Sequence, residues 1–501
     1  MDNKTTNYQV IIVGAGLAGL SAAKQLIEGD ETGTRVNPHD ILILEGLDRV
    51  GGRTKTKAFN GGKVLFDCGA GWVGDDQHDI LKLVDELKLN KVRQKTPYSI
   101  NLAYISQEGN RKCMTSLFKI FSFSLLTRKD KIGSKSEQLL QLQPQTRENI
   151  SSLYNLTWKS YIQLGLAIMK IDWMLRQALE PNSKVAKRFG SKSVDEWITE
   201  NVSTEEGVAL LRSYVSTEVG VSTLKYPMIY FLRDLATYGS FANAQKNSGQ
   251  YRIAEGTGSI SAHLAENLRK AGVSIRLNTS VVKCNHDDSC VEIETQSGHC
   301  YISQRAIFAI PVTSYQYINF SPSLPQHVNA THMSSSKVIK VGLLYAEKWW
   351  KTDGAFVDPQ CSIPATTILD ISTEDCFVLA VLFVDDKAIA LTGDKNKSKR
   401  ENAAKYSVEQ LLSPKKNAKI LEPIGYAEGD WPSTPGIFGA YGIYPKDGIP
   451  IDRQKLGKQT RKLHFACSEI AHRDAGYMSG AVNSGKAEAR ELLRKIYSTL
   501  E

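Results

Sequence analysis

A chain of 501 residues is too long for one ordinary hydrophobic core, so two or more domains are expected. Hydrophobic residues make up 42% and charged residues 23%, the balance of an ordinary globular protein with room to bury a large cofactor. The formal charge of +9 lies partly in short polar runs, Lys395–Arg400 and Lys415–Lys419, which lack interleaved aromatics, so nucleic acid is excluded as an expected partner.

The eight cysteines, Cys68, Cys113, Cys284, Cys290, Cys300, Cys361, Cys376 and Cys467, form no C-x-x-C pair, so no metal site or redox dithiol is read. They read as free thiols of a reducing compartment. The first eight residues are mostly polar, and Val10–Val13 is too short for a signal segment. No stretch reaches the roughly 18 apolar residues of a spanning helix, and the last residues are no peroxisomal signal. A cytoplasmic protein without a membrane anchor is expected.

Taken in chain order, the apolar β-branched run Gln9–Val13 reads as a strand, and Gly14-Ala15-Gly16-Leu17-Ala18-Gly19 follows it at once. Leu20–Leu26 continues as helix, and a second strand, Ile41–Leu44, ends at Glu45, which makes a β-α-β unit. The glycines have separate tasks. Gly14 permits the tight turn, Gly16 lets backbone approach a pyrophosphate, and Gly19 lets helix pack on strand. The helix N-terminus offers free N–H groups and partial positive charge to phosphate. Glu45 can accept both hydroxyls of an adenosine ribose and would repel a 2′-phosphate, so NADP is disfavoured. The polar segment 29–40 between helix and strand reads as a surface insertion.

Beyond Glu45 comes Asp48-Arg49-Val50-Gly51-Gly52-Arg53-Thr54. A second glycine pair suits another close approach to the same pyrophosphate, and Arg53 adds a planar guanidinium to neutralise it. Residues from about 106 to 245 lack strong strand signals and contain helical stretches, such as Tyr161–Ala178 and Val194–Thr199. Strand patterns return at 274–276, 281–284, 291–294 and 306–310, then at 338–345 and 376–383. The chain closes on Phe465–Glu469 and a helix over 480–497.

Together, the glycine turn, the second glycine pair with Arg53, and Asp67-Cys68-Gly69-Ala70-Gly71-Trp72-Val73-Gly74 resemble the flavin-containing amine oxidase family. Ala466-Cys467-Ser468-Glu469 and Gly476-Tyr477-Met478-Ser479-Gly480 resemble that family's closing flavin motif, with Cys467 standing where the family has glycine. Arg252–Gly258, Val281-Val282 and Ala309-Ile310-Pro311 match weaker segments. The likeness covers roughly 1–90 and 250–501. It implies FAD, with Gly14, Gly16, Gly19, Glu45, Gly52, Arg53, Trp72, Val282, Glu469 and Tyr477 binding the cofactor and Glu469 near its ribityl chain or pyrophosphate.

Lys340 sits on a strand pattern that shares one face with Val338 and Gly342, placing a cation among apolar neighbours at a cost. The resemblance implies that a lysine ten residues before a tryptophan, here Trp350, holds a water against flavin N5. Lys337 is the competitor, at a different spacing. Tyr441, in Phe438–Pro445, and Tyr477 resemble the two walls of the monoamine oxidase aromatic cage. Facing phenol rings would position an amine, and a desolvated pocket would favour its neutral form, which gives up the α-hydride. Asp474 stands where monoamine oxidases carry tryptophan and could pair with a second charge on a longer substrate. His78 reads as a surface residue. The residue before Tyr441 is Ala440, where animal monoamine oxidases use cysteine to anchor FAD, so non-covalent FAD is expected.

The fold class is therefore α/β: a discontinuous Rossmann-like FAD-binding domain with a second, mixed α+β substrate-binding domain. The expected FAD-binding pieces are 1–105, 245–312 and 430–501, and the substrate-domain pieces are 106–244, helical, and 313–429, β-rich. The expected activity is amine oxidation, with a small amine and oxygen as partners and peroxide as product. Polyamine oxidation is the nearest alternative, suggested by Asp474, Asp75 and Asp76. L-amino-acid oxidation is disfavoured for want of an arginine placed to clamp a carboxylate. A flavoprotein retained only to bind a hydrophobic ligand is the alternative outside the enzymes.

Overall fold

The computed structural model describes residues 6–94, 101–105, 111–115, 157–180, 183–247, 249–326, 328, 330–412, 420–446, 460 and 462–497. The chain divides into two compact units, one of Met1–Val92, Tyr251–Lys337 and Gly429–Glu501, the other of Arg93–Gln250 and Val338–Glu428.

In the first unit, strand β1 (Thr6–Val13) buries Val10, Ile11 and Ile12 completely, as a parallel strand covered on both faces must. Helix α1 (Leu17–Glu28) follows, and Gly29 stops it at φ +86. Strand β2 (Ile41–Leu44) lies parallel to β1, with Val10 opposite Ile41 and Val13 opposite Leu44. Segment 29–40 is a turn organised by Asp30, whose carboxylate accepts from Thr32 and Thr34, before a short helical turn at Pro38–Asp40.

The other elements of this unit that bear on the site are α2 (His78–Glu86), α3 (Gly258–Ala271), β3 (Ser274–Arg276), β4 (Val281–His286), β5 (Val291–Thr295), β6 (Cys300–Phe308) and β7 (Asn319–Ser321). After them come β8 (Met333–Ser335), β9 (Ile443–Pro445), β10 (Leu463–Phe465) and α4 (Met478–Tyr497). One eight-stranded sheet has the order β7-β4-β5-β6-β1-β2-β3, with β10 pairing β6 beside that path. Strand β6 is parallel to β1, so the ends of β1, β2 and β6 point the same way, where ligands of open α/β sheets bind. Strands β8 and β9 form a separate antiparallel pair.

The second unit joins helices Trp158–Ala178, Val194–Asn201, Glu205–Val219 and Met228–Ala236 to a seven-stranded sheet. Ile339, Val341 and Leu343 pack with Leu379, Val381 and Phe383 in its core. Buried Arg212 forms a two-pronged pair with Asp195 at 2.7 and 2.9 Å, satisfying both charges. Arg111–Thr115 is a strand inside the stretch that the sequence reads as helical. It is the terminal strand of its sheet, where charged residues such as Arg111 and Lys112 are tolerated and the alternating apolar signal is lost. The unit boundaries after Val92 and Lys337 differ from the sequence-based 105 and 312. The second difference arises because β7 hydrogen-bonds to β4 and β8 to β9, which ties 319–335 to the first unit. Among the described residues, no helix is long and apolar enough to cross a membrane.

Candidate functional site

The glycine turn is built as its spacing requires. Gly14 has φ +104 and donates its N–H to Leu44 O at 2.7 Å. A Cβ on Gly19 would lie 2.0 Å from Gly14 O, so only glycine lets α1 come this close to the turn. Gly16 is different: a Cβ there would meet nothing within 4 Å. This open space faces the start of α1, which has no side-chain cap and no acidic residue in its first turn. Free N–H groups and unfilled volume at one helix N-terminus are what a pyrophosphate needs.

The second glycine pair packs on the first. Gly51 N–H donates to Ala15 O at 2.8 Å, and a Cβ on Gly52 would sit 3.6 Å from Gly16 Cα. Arg49, to which the sequence reading assigned no task, holds this loop by donating to Val50 O, Thr54 O and Gly52 O.

Glu45 ends β2 with its side chain buried, Oε2 accepting from Ala15 N–H at 2.7 Å and Oε1 from Leu47 N–H at 2.9 Å. Each oxygen keeps a further acceptor site, so ribose hydroxyls can still be bound. Burial pushes the Glu45 carboxyl up against the pull of these two backbone donors. Ser280 stands over Gly46, where a Cβ would lie 2.9 Å from its Oγ, and Thr279 N–H donates to Glu45 O. That contact brings the start of β4 to the same place. Val282, on a bulge between Val281 and Lys283, leaves its apolar side chain 36% exposed there.

Arg53 and Glu469, 416 positions apart, form a two-pronged pair at 2.7 and 2.8 Å. Arg53 also donates to Ala440 O at 2.6 Å and Ser468 Oγ at 3.2 Å. Burial opposes both charges, and their mutual attraction outweighs it, raising the guanidinium pKa and lowering the carboxyl. Both Glu469 oxygens are thus engaged by Arg53, and the pair acts as a cross-brace between the two ends of the chain. Cys467, in the family's glycine position, has φ −162, an extended conformation that needs no glycine. Burial pushes its thiol well above the ordinary range.

Tyr441 and Tyr477 are both half-buried. A Cβ on Gly476 would lie 3.0 Å from Tyr441 O and 3.9 Å from Tyr441 Cβ, so the two tyrosine-bearing segments touch. Trp72 is half-buried in the segment laid along Arg53, where Ala70 N–H donates to Arg53 O at 3.2 Å. Asp67, in the same motif, accepts from Thr56 Oγ1 and from Thr257 N–H and Oγ1, which joins the Gly256–Gly258 turn to this region. The sequence reading gave it no role, although it begins the quoted motif.

Lys340 belongs to the other unit, on strand Val338–Tyr345, 5% exposed and opposite Leu382. Lys337 belongs to the first unit and donates its Nζ to Phe438 O. Asp474 is 8% exposed at φ +54, and burial, reinforced by Asp76 and Asp79, raises its carboxyl against a hydrogen bond from Ser479. It therefore faces the start of α2. His78 opens α2 and is exposed.

Residues 17–493 match the family described as flavin containing amine oxidoreductase. The chain is 26% identical to a probable flavin-containing monoamine oxidase A of Dictyostelium discoideum over 99% of both chains. It is also 26% identical to flavin-containing amine oxidase B of Homo sapiens, over 99% of this chain and 87% of that one. A putrescine oxidase solved with putrescine shares the fold at TM-score 0.77 and 23% identity, covering 98% of this chain and 100% of that one. Cyclohexylamine oxidase from Brevibacterium oxydans IH-35A does so at TM-score 0.75 and 20% identity, over 98% and 100%.

Proposed function

Because the chain belongs to the flavin-containing amine oxidoreductase family, we propose that it oxidises small amines at the α-carbon. Water hydrolyses the resulting imine to aldehyde and ammonia or a shorter amine, and oxygen is reduced to hydrogen peroxide. The cofactor is FAD. When bound, FAD would supply a two-electron acceptor for the substrate's hydride, with oxygen as the final acceptor.

The residues of this chain bind, orient and dry the site. The α1 N-terminus with Gly14, Gly16, Gly19 and Gly52 holds the pyrophosphate, and Glu45 takes the ribose hydroxyls. Val282 and Trp72 would add apolar surface to the cofactor site. Arg53 and Glu469 brace that site as a neutral pair. Tyr441 and Tyr477 sandwich the amine, and a site closed to water would favour its neutral form. By its spacing to Trp350, Lys340 is the lysine to which the family likeness assigns a water for the transfer step. The reading rests chiefly on the contact between the Gly476 turn and Tyr441, which brings two aromatic residues 36 positions apart to one place.

FAD is held without a covalent bond, since Ala440 precedes Tyr441 and the Cys467 thiol is buried and protonated. Acid should therefore give a colourless pellet and a yellow supernatant. Di- and polyamines are the second reading, favoured by the buried acid Asp474 close to the cage segment. Peroxide release from a panel of mono-, di- and polyamines tests the proposal. Turnover is expected with at least one class, and a yellow protein inert to all of them would leave only a binding module.

A further inference from the structure

The turn that carries Tyr441 is gripped by a segment to which no catalytic task is assigned. Ser336 is fully buried and brackets the tyrosine on both sides. Its C=O accepts from Ala440 N–H at 2.8 Å, and its N–H donates to Gly442 O at 2.7 Å. Its Oγ accepts from Gly442 N–H at 2.9 Å. The next residue, Lys337, donates to Phe438 O, and Phe438 has φ +50, a conformation that a bulky side chain keeps only when its surroundings hold it. Gly439 completes the grip, since a Cβ there would lie 2.2 Å from Ser335 Cβ. From the other side, Arg53 donates to Ala440 O at 2.6 Å.

We propose that Ser336 is a positioning residue for the amine pocket, fixing the turn that presents Tyr441, with Lys337 closing the grip at Phe438. The proposal rests on the reading of Tyr441 as one wall of the cage. A ring that orients an amine must be held to within about 0.5 Å, and both residues flanking Tyr441 are tied to the same serine. Without Oγ, Gly442 N–H loses its acceptor and the turn loosens. Ser336 acts through Tyr441 and touches neither reactant, so its removal should weaken the use of amine without releasing FAD.

The test is a double-mutant cycle of Ser336→Ala and Tyr441→Ala on the FAD-bound protein, reading flavin content, kcat and KM for the best amine. Ser336→Ala alone should keep its flavin and raise KM about ten-fold, with a smaller change in kcat. In the Tyr441→Ala background the same change should shift KM by less than about two-fold. If Tyr441→Ala raises KM and Ser336→Ala does not, the positioning role is overturned and the cage stands. If Tyr441→Ala is harmless, the cage reading itself fails, and a surviving effect of Ser336→Ala would place its action elsewhere. Should Ser336→Ala not fold, Lys337→Met removes the hydrogen bond to Phe438 O from a half-buried side chain. It should raise KM in the parent and not beside Tyr441→Ala, and equal effects in both backgrounds would overturn the proposal.

Discussion

The two ends of the proposed cofactor region are built on opposite principles. The end from Gly14 to Glu45 is made of backbone: peptide N–H groups, Gly14 and Gly19 without room for a Cβ, open space over Gly16, and one carboxylate held by the turn it follows. The other half, around Ser336, Ala440 and Glu469, is made of side chains that meet partners 106 to 416 positions away. The first half is specified by shape and fails when an atom is added. The second is specified by charge and hydrogen bonding and fails when a group is removed.

Adding one atom to the first half should have the largest effect. Gly19→Ala places a Cβ 2.0 Å from Gly14 O, a backbone atom that cannot step aside. We expect a loss on the order of 3 kcal/mol or more, read by chemical denaturation, and protein without colour. Gly16→Ala sharpens the contrast, since its Cβ enters open space. That variant should fold with parental stability and still lack flavin. Equal stability of the two variants would break the comparison.

Removing a group from the second half comes next. Glu469→Ala strands the half-buried Arg53 guanidinium, at about 2 kcal/mol by the same denaturation measurement. Glu45→Ala removes the acceptor of Ala15 N–H and Leu47 N–H together with the proposed ribose contact, so it should cost FAD affinity and about 1–2 kcal/mol of stability. Two lost charge-assisted hydrogen bonds correspond to roughly a hundred-fold weaker binding or more, seen as a lower flavin-to-protein absorbance ratio after purification. An unchanged ratio would remove Glu45 from the ribose.

The smallest effect is a pH dependence away from the cofactor. His464 on β10 and Glu488 on α4 lie 3.2 Å apart, with Glu491, Lys495 and His472 also acting on Glu488. Arg305 on β6 acts on His464. Burial lowers the imidazole pKa to about 3, so it stays neutral, and raises the Glu488 carboxyl to about 7. A raised carboxyl contributes stability below its ordinary 4.5 that is lost as pH climbs through about 7. Glu488→Gln should therefore gain on the parent between pH 5 and 8, by about 2 kcal/mol, in thermal or denaturant unfolding. A constant difference across that range would contradict the assignment.

The same contrast explains what could be read beforehand. Gly14, Gly16, Gly19 and Glu45 were legible because their tasks are local: a turn, a helix start and the end of the next strand. Strands such as Val338–Tyr345 were legible from apolar runs buried on both faces. The polar terminal strand Arg111–Thr115 carries no such run and was missed. Arg53 and Glu469 were picked out singly, but nothing in their neighbourhoods announced that they bind each other. Ser336 had no signal, because a serine between Ser335 and Lys337 acquires its task only when residues 438–442 fold over it. Lys337 competes with Lys340 on the strand pattern alone, and its hydrogen bond to Phe438 O, 101 positions away, has no local signal.

The most direct test of the central claim, that this FAD-binding chain oxidises amines at the Tyr441–Tyr477 segment, is anaerobic mixing of the yellow protein with amines. Bleaching of the flavin by at least one amine is expected, with one peroxide per flavin when oxygen is admitted, and bleaching slowed about ten-fold or more in Tyr441→Ala with flavin content unchanged. A flavin that stays yellow with every amine, or one bleached equally fast without Tyr441, would contradict it.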